Sequence, residues 1–166
     1  VNRRNFILTL TGGTIAAAAG VAAWRLSDGS RVNAETFEVA LSESEWRKRL
    51  TADEFHILRE AGTESAFTSG LLNEKREGTY HCAGCDNALY SSATKFDSGT
   101  GWPSFYEALP DAVGTKADYS LVIPRTEVHC ARCGGHLGHI FDDGPPPSGK
   151  RHCINGLALD FSPEAR

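Results

Sequence analysis

Methionine is missing from all 166 residues, position 1 included, where Val1 is expected to be a start codon translated literally. The chain also lacks a low-complexity tract, an internal repeat and an interdomain linker, which excludes fibrous and solenoid classes. It lacks an even cysteine count. Five cysteines, as two close pairs and one single, cannot make a pure disulfide framework. It lacks a basic body as well. The first 34 residues carry Arg3, Arg4, Arg25 and Arg31 against Asp28, so a total charge of −4 leaves −7 on the remaining 132 residues. Such an acidic body is a poor partner for phosphate backbones, and no nucleic-acid partner is expected.

What remains is a chain of ordinary globular composition, long enough for one domain with a core. Its first part reads as an address. Asn2-Arg3-Arg4-Asn5-Phe6-Ile7-Leu8 opens a charged start that runs into a moderately apolar stretch from Phe6 to Trp24. This is the pattern of a twin-arginine signal over residues 1–34, and it predicts an exported, periplasmic protein whose mature domain is 35–166. Val32-Asn33-Ala34 and Val21-Ala22-Ala23 are both candidate cleavage sites, and no lipid-acceptor cysteine lies here. Retention as a membrane anchor is the alternative, although Gly, Ala and Thr dilute the stretch.

Residues 42–61 are predicted to be helical. Ser42 with Glu45, and Thr51 with Glu54, form two capping boxes, and Gly62 is expected to stop the second helix. Trp46, Leu50, Phe55 and Leu58 are expected to pack in the core. Thereafter, short runs at 79–81, 88–90, 119–123 and 157–161 read as strands separated by Gly, Pro, Asp and Ser. The expected fold is mainly β, with small antiparallel sheets, short N-terminal helices and a structural zinc site.

The zinc expectation rests on Cys82-Ala83-Gly84-Cys85 and Cys130-Ala131-Arg132-Cys133. Two residues between thiolates let both sulfurs face one ion, and Gly84 and Gly134 are expected to give the turns their freedom. Four sulfurs close a tetrahedral site and leave no open position for a substrate. Two disulfides or a redox pair are the rival readings.

Cys153 stands alone in Lys150-Arg151-His152-Cys153-Ile154-Asn155. A lone cysteine can be a buried small hydrophobe. Here Arg151, with Lys150 and His152, is expected to lower the thiol pKa. On a strand, Arg151, Cys153 and Asn155 would share one face. Upstream, His136 and His139 are three apart, which suits metal binding, proton transfer or substrate binding. Trp102, in the Gly-rich run Lys95 to Phe105, is either core or the wall of an apolar pocket.

Several ordered blocks together resemble the signature of the B-type methionine sulfoxide reductases: Tyr80 to Cys85, Lys95 to Phe105, Glu127 to Cys130, His136 to Pro145 and Arg151 to Asn155. Leu58 to Glu64 is similar too, so the likeness covers roughly residues 42–161. The resemblance implies a mainly antiparallel β-fold of two small sheets with zinc away from the active site, and reduction of the R epimer of peptide-bound methionine S-oxide. Cys153 matches the nucleophile, Trp102 the residue that receives the substrate methyl, and His139 a catalytic histidine with His136 beside it. Arg151 and Asn155 match active-site supports, and Phe141 is expected to help bind substrate.

The implied partners are oxidised proteins or peptides and an external thiol reductant such as a thioredoxin-like protein. The chain is expected to be a monomer. Many family members carry a resolving cysteine where this chain has Thr100, and Ser is frequent in the family at the position of Gly156. Two other readings compete, a zinc-stabilised module that binds a ligand without catalysis and a thiol peroxidase or redox sensor. The first has no use for an activated thiol, and turnover on a sulfoxide against a peroxide separates the second.

Overall fold

The computed structural model describes residues 36–165, and the predicted signal at 1–34 lies outside them. Two short helices come first, α1 (Glu43–Arg49) and α2 (Ala52–Glu60). Both predicted capping boxes form, each satisfying backbone donors that a helix start would otherwise leave unpaired. Trp46, Phe55, Ile57 and Leu58 are buried. The second helix ends differently from expectation. Ala61, not Gly62, takes the left-handed cap position, with φ 53°.

Nine strands follow among the described residues. Strands β1 (Gly78–Cys82), β2 (Ala88–Ser91) and β9 (Leu159–Pro163) form a three-stranded sheet in the order β2-β1-β9. Strands β3 (Lys95–Phe96), β4 (Ser104–Phe105), β5 (Val113–Asp118), β6 (Arg125–Cys130), β7 (His136–Phe141) and β8 (Arg151–Ile154) form the other, ordered β3-β4-β8-β7-β6-β5. Every strand pairing is antiparallel, as expected. The aromatic core includes residues of both sheets: Phe105 of β4 stacks on Tyr90 of β2 at 4.4 Å and meets Tyr80 of β1 edge-on at 5.0 Å.

One predicted strand is absent. Residues 119–123 form an exposed loop between β5 and β6. Its apolar residues have the composition of a strand but no alternation of burial, since Tyr119, Leu121, Val122 and Ile123 all face solvent. The loop is closed at its base, where Asp118 pairs with Arg125 in the ladder and by a 2.7 Å salt bridge. The 157–161 run is split instead by a 3₁₀ turn at Gly156–Ala158, and pairing begins at Leu159.

Register decides what the larger sheet presents on each face. Ser104, Cys153, His139, Glu127 and Lys116 stand opposite one another across five strands. Directly opposed residues point to the same face. The next row, Phe105, His152 and Ile140, points the other way, and Phe105 and His152 meet Tyr90 of the smaller sheet. A one-residue slip of β8 would turn Cys153 into the core. Gly138 helps hold this register. A Cβ there would collide with the Cys153 carbonyl, so only glycine lets β7 approach β8 so closely.

Candidate active site

Cys153 is half-buried and opens into a cavity of about 130 Å³. The walls include Trp102, His139, Phe141 and Asn155, all singled out from sequence, together with Thr63, Arg125 and Gly138. Four wider grooves, of about 270, 370, 660 and 950 Å³, also open on the described residues, the 660 Å³ one lined in part by Trp102, but neither Cys nor His lines any of them. The small cavity is therefore the candidate for the chemistry, and its size suits one side chain.

Around Cys153 each polar group has a structural reason for its place. Thr100 Oγ1 lies 4.0 Å from the sulfur and is tied to Ser98 Oγ at 2.8 Å, which in turn bonds Ser104 Oγ at 2.7 Å. Trp102 is pinned by its indole N–H, which donates to the Glu64 carbonyl at 3.1 Å. The Glu64 amide donates to Asn155 Oδ1 at 3.0 Å, and Asn155 Nδ2 donates to the Leu137 carbonyl at 3.0 Å. The Glu64 carboxylate accepts from the amides of Gly156 and Leu157. This knot joins the segment after α2 to the turn after β8, and it holds both Trp102 and Asn155.

Two predicted residues stand behind the cavity wall. Arg151 is clamped by Asp143 at 2.8 and 2.9 Å and lies over the Phe141 ring at 4.4 Å. His136 is buried, with its ring 5.4 Å from that of His139. Its Nδ1 lies 3.0 Å from Glu127 Oε1, but the approach misses hydrogen-bond alignment. Burial lowers the His136 pKa despite the nearby carboxylate.

The expectation of a thiol with a lowered pKa is not met. Burial pushes the Cys153 thiol up, and Thr100 and Arg151 only partly oppose it. Arg151 is already committed to Asp143, whose negative charge acts in the opposite sense. Lys150 pairs with Asp142 at an exposed site, and His152 points into the core, where desolvation lowers its pKa to about 4 and leaves it neutral.

The other four cysteines form a separate, buried cluster. Their sulfurs all lie within 4.8 Å of one another, with Cys82–Cys133 at 3.7 Å and Cys85–Cys130 at 3.5 Å. None is in a disulfide. The two knuckles share one turn geometry. The Asp86 amide donates to the Cys82 carbonyl, and the Gly134 amide to the Cys130 carbonyl, both at 2.8 Å. The residue in the left-handed region is the same in each turn, Asp86 with φ 60° and Gly134 with φ 67°. Gly84, expected to supply that freedom, does not. Asp tolerates this region because its short polar side chain can hydrogen-bond locally.

A family model described as the SelR domain matches residues 50–163. Peptide methionine sulfoxide reductase MsrB of Leifsonia xyli subsp. xyli (strain CTCB07) is 53% identical over 130 residues, 77% of this chain and 94% of its own length. The chain belongs to the MsrB family. Peptide methionine sulfoxide reductase B1, chloroplastic, of Oryza sativa subsp. japonica is 56% identical over 124 residues, and its Arabidopsis thaliana counterpart is also 56% identical. This MsrB-family chain spans 58% and 61% of the lengths of those two plant relatives.

The cysteine cluster fits the metal expected of an MsrB fold. Sulfurs about 2.3 Å from a tetrahedral zinc lie about 3.8 Å apart, close to the spacing found here. Cys82 and Cys85 belong to the β1–β2 turn of one sheet, and Cys130 and Cys133 to the β6–β7 turn of the other. A metal here would clasp the two sheets together.

Three residues of this MsrB site had no local signal in the sequence. Asp118 accepts from His139 Nε2 at 2.8 Å, Arg125 lines the cavity, and Glu64 forms the knot described above. Their partners lie as far as 93 residues away. Only the position of Glu64, at the end of a block with family resemblance, pointed toward any of them.

Proposed function

We propose that this chain reduces the (R)-S-oxide of peptide-bound methionine to methionine, with Cys153 as nucleophile. One observation carries the reading: in a chain of the MsrB family, Cys153 is the one cysteine outside the buried sulfur cluster, and it faces a cavity walled by Trp102, Phe141 and His139. The aromatic walls suit the methyl and methylene groups of a methionine side chain.

In the proposed step the Cys153 sulfur attacks the sulfoxide sulfur and forms a transient S–S bond; the S–O bond then breaks as the oxygen passes to Cys153, and the S–S bond breaks as methionine leaves with its electron pair. Methionine sulfur gains two electrons and Cys153 loses them, becoming a sulfenic acid. His139 gives the oxygen a proton as it departs from methionine. A Cys153 that starts as a thiol brings that proton with it, so the overall exchange needs none from solvent. The assay that tests this offers separate R and S epimers of a sulfoxide peptide to wild type and Cys153→Ser. Reduction confined to the R epimer, and lost in the variant with fold intact, is expected. Substantial turnover by Cys153→Ser removes Cys153 from its role.

Zinc, one per chain, is the metal proposed for Cys82, Cys85, Cys130 and Cys133. Its chemistry there is structural, since four sulfurs leave no open position. Regeneration falls to an external thiol, which attacks the sulfenic acid, releases water and leaves a mixed disulfide that a second thiol resolves. A thioredoxin-like protein or a small dithiol has the chemistry required. Arg3 and Arg4 support an exported, periplasmic location, with repair of oxidised proteins as the role. Replacing both with Lys should hold the protein in the cytoplasm, and unchanged export would refute the twin-arginine reading.

A further inference from the structure

We propose that Asp118 is a positioning residue for this reaction: it fixes the orientation and tautomer of His139, so that Nδ1 is the ring nitrogen offered to the substrate oxygen. The inference rests on His139 as the proton donor in the function proposed above.

Asp118 ends β5, two strands from β7, which carries His139. Its Oδ2 accepts from His139 Nε2 at 2.8 Å and from Arg125 Nη2 at 2.7 Å. Its Oδ1 accepts from the Ser120 amide at 2.8 Å. Both carboxylate oxygens are therefore engaged, and the group cannot rotate without breaking several bonds. The two side chains of the pair are only 11% and 14% exposed, so water competes weakly. Hydrogen bonds from Ser120, His139 and Arg125 hold the Asp118 carboxyl well below the usual range, and it stays ionised at any working pH.

An ionised carboxylate accepts only. Nε2 of His139 must therefore carry a hydrogen, which leaves Nδ1 as the position that gains or loses a proton. The carboxylate also compensates the charge of a ring that carries its donating proton on Nδ1. The other charged or titratable groups facing His139 do not take this place. Glu127, opposite it on β6, approaches Lys116 at 3.3 Å and His136 at 3.0 Å. Arg125 is held by Asp118, and Cys153 lies opposite on β8. At the base of the exposed loop, then, Asp118 forms a fixed anchor that reaches the reacting centre.

The test is a double-mutant cycle on the full chain, with single-turnover reduction of a methionine-(R)-sulfoxide peptide. Asp118→Asn should lower the maximal rate about 10- to 100-fold, with half-saturation changed less than about twofold. Added to His139→Gln, it should cost nothing more, because a residue acting through another is silent once that other is gone. Imidazole ¹⁵N NMR of the substrate-free protein should show the Nε2–H tautomer in wild type and a mixture in Asp118→Asn.

Equal losses in both histidine backgrounds, or an unchanged tautomer, overturn the proposal. If Asp118→Asn does not fold, Asp118→Glu keeps the charge that Arg125 requires and should retain the Nε2–H form. A folded Asp118→Glu with mixed tautomers is equally fatal. Should wild type reduce no sulfoxide, the reading of function fails, while the NMR result still decides whether Asp118 sets the His139 tautomer.

Discussion

Thr100, at the position where the resemblance drawn from the sequence would put a resolving cysteine, has its hydroxyl 4.0 Å from Cys153. The other four thiols are 0–4% exposed and gathered around one another. A Cys153 sulfenic acid therefore has no neighbouring thiol to condense with. Oxidation by substrate should leave a sulfenic acid that dimedone traps, with no internal disulfide by peptide mapping. Thr100→Cys places a sulfur within easy reach, and the oxidised product should shift to a disulfide between Cys153 and the introduced thiol. A bond between Cys153 and any of the four clustered cysteines in wild type would defeat this account. It would also recast the cluster as a redox group.

At the scale of elements, β8 serves two faces at once. Cys153 opens to the cavity, and its neighbour His152 fills the core, where Tyr90 Oη lies 3.1 Å from Nδ1. Desolvation, helped by Lys150, holds the His152 pKa at about 4 in the fold. The unfolded chain binds a proton near about 6.5. Stability from this residue is thus complete above about pH 6.5 and lost as pH falls toward 4, by roughly 3 kcal/mol in all. Urea unfolding should show that slope in wild type and a flatter one in His152→Leu. Taking the difference cancels acid loss of the metal proposed for the four cysteines, which both proteins would share.

Elements were legible in the sequence where their signals are local. Capping boxes announced both helices, and paired knuckles announced the sulfur cluster. The exposed 119–123 loop misled because its residues suit a strand, whereas the ladder ends at the Asp118–Arg125 pair and the residues beyond it face solvent. Asp118 itself was illegible, since its meaning arises only when β5, β6 and β7 are laid side by side. Cys153 was singled out from the sequence, but its pKa direction was not anticipated, because burial cannot be read from the charges of its sequence neighbours.

For the whole molecule, the sulfur cluster joins the turns of two sheets that otherwise meet through an aromatic core. Metal affinity at such a site is folding free energy. Metal analysis should find close to one zinc per chain. A strong chelator, or Cys82→Ser, should lower the thermal midpoint sharply and affect rate only through the fraction unfolded. A zinc content far below one with two intact disulfides would reverse that assignment.

The burial of those four thiols also settles which atom answers for the chain in an oxidising setting. The sequence holds five sulfur atoms, all cysteine, since methionine is absent. Four of them are shut away, and the fifth opens to the cavity. A chain proposed to take oxygen from thioethers has none among these 166 residues. Among the five sulfurs, an oxygen atom gained by the folded protein therefore has a single exposed address, and in a single turnover without added thiol a mass increase of one oxygen should report the proposed oxidation of Cys153.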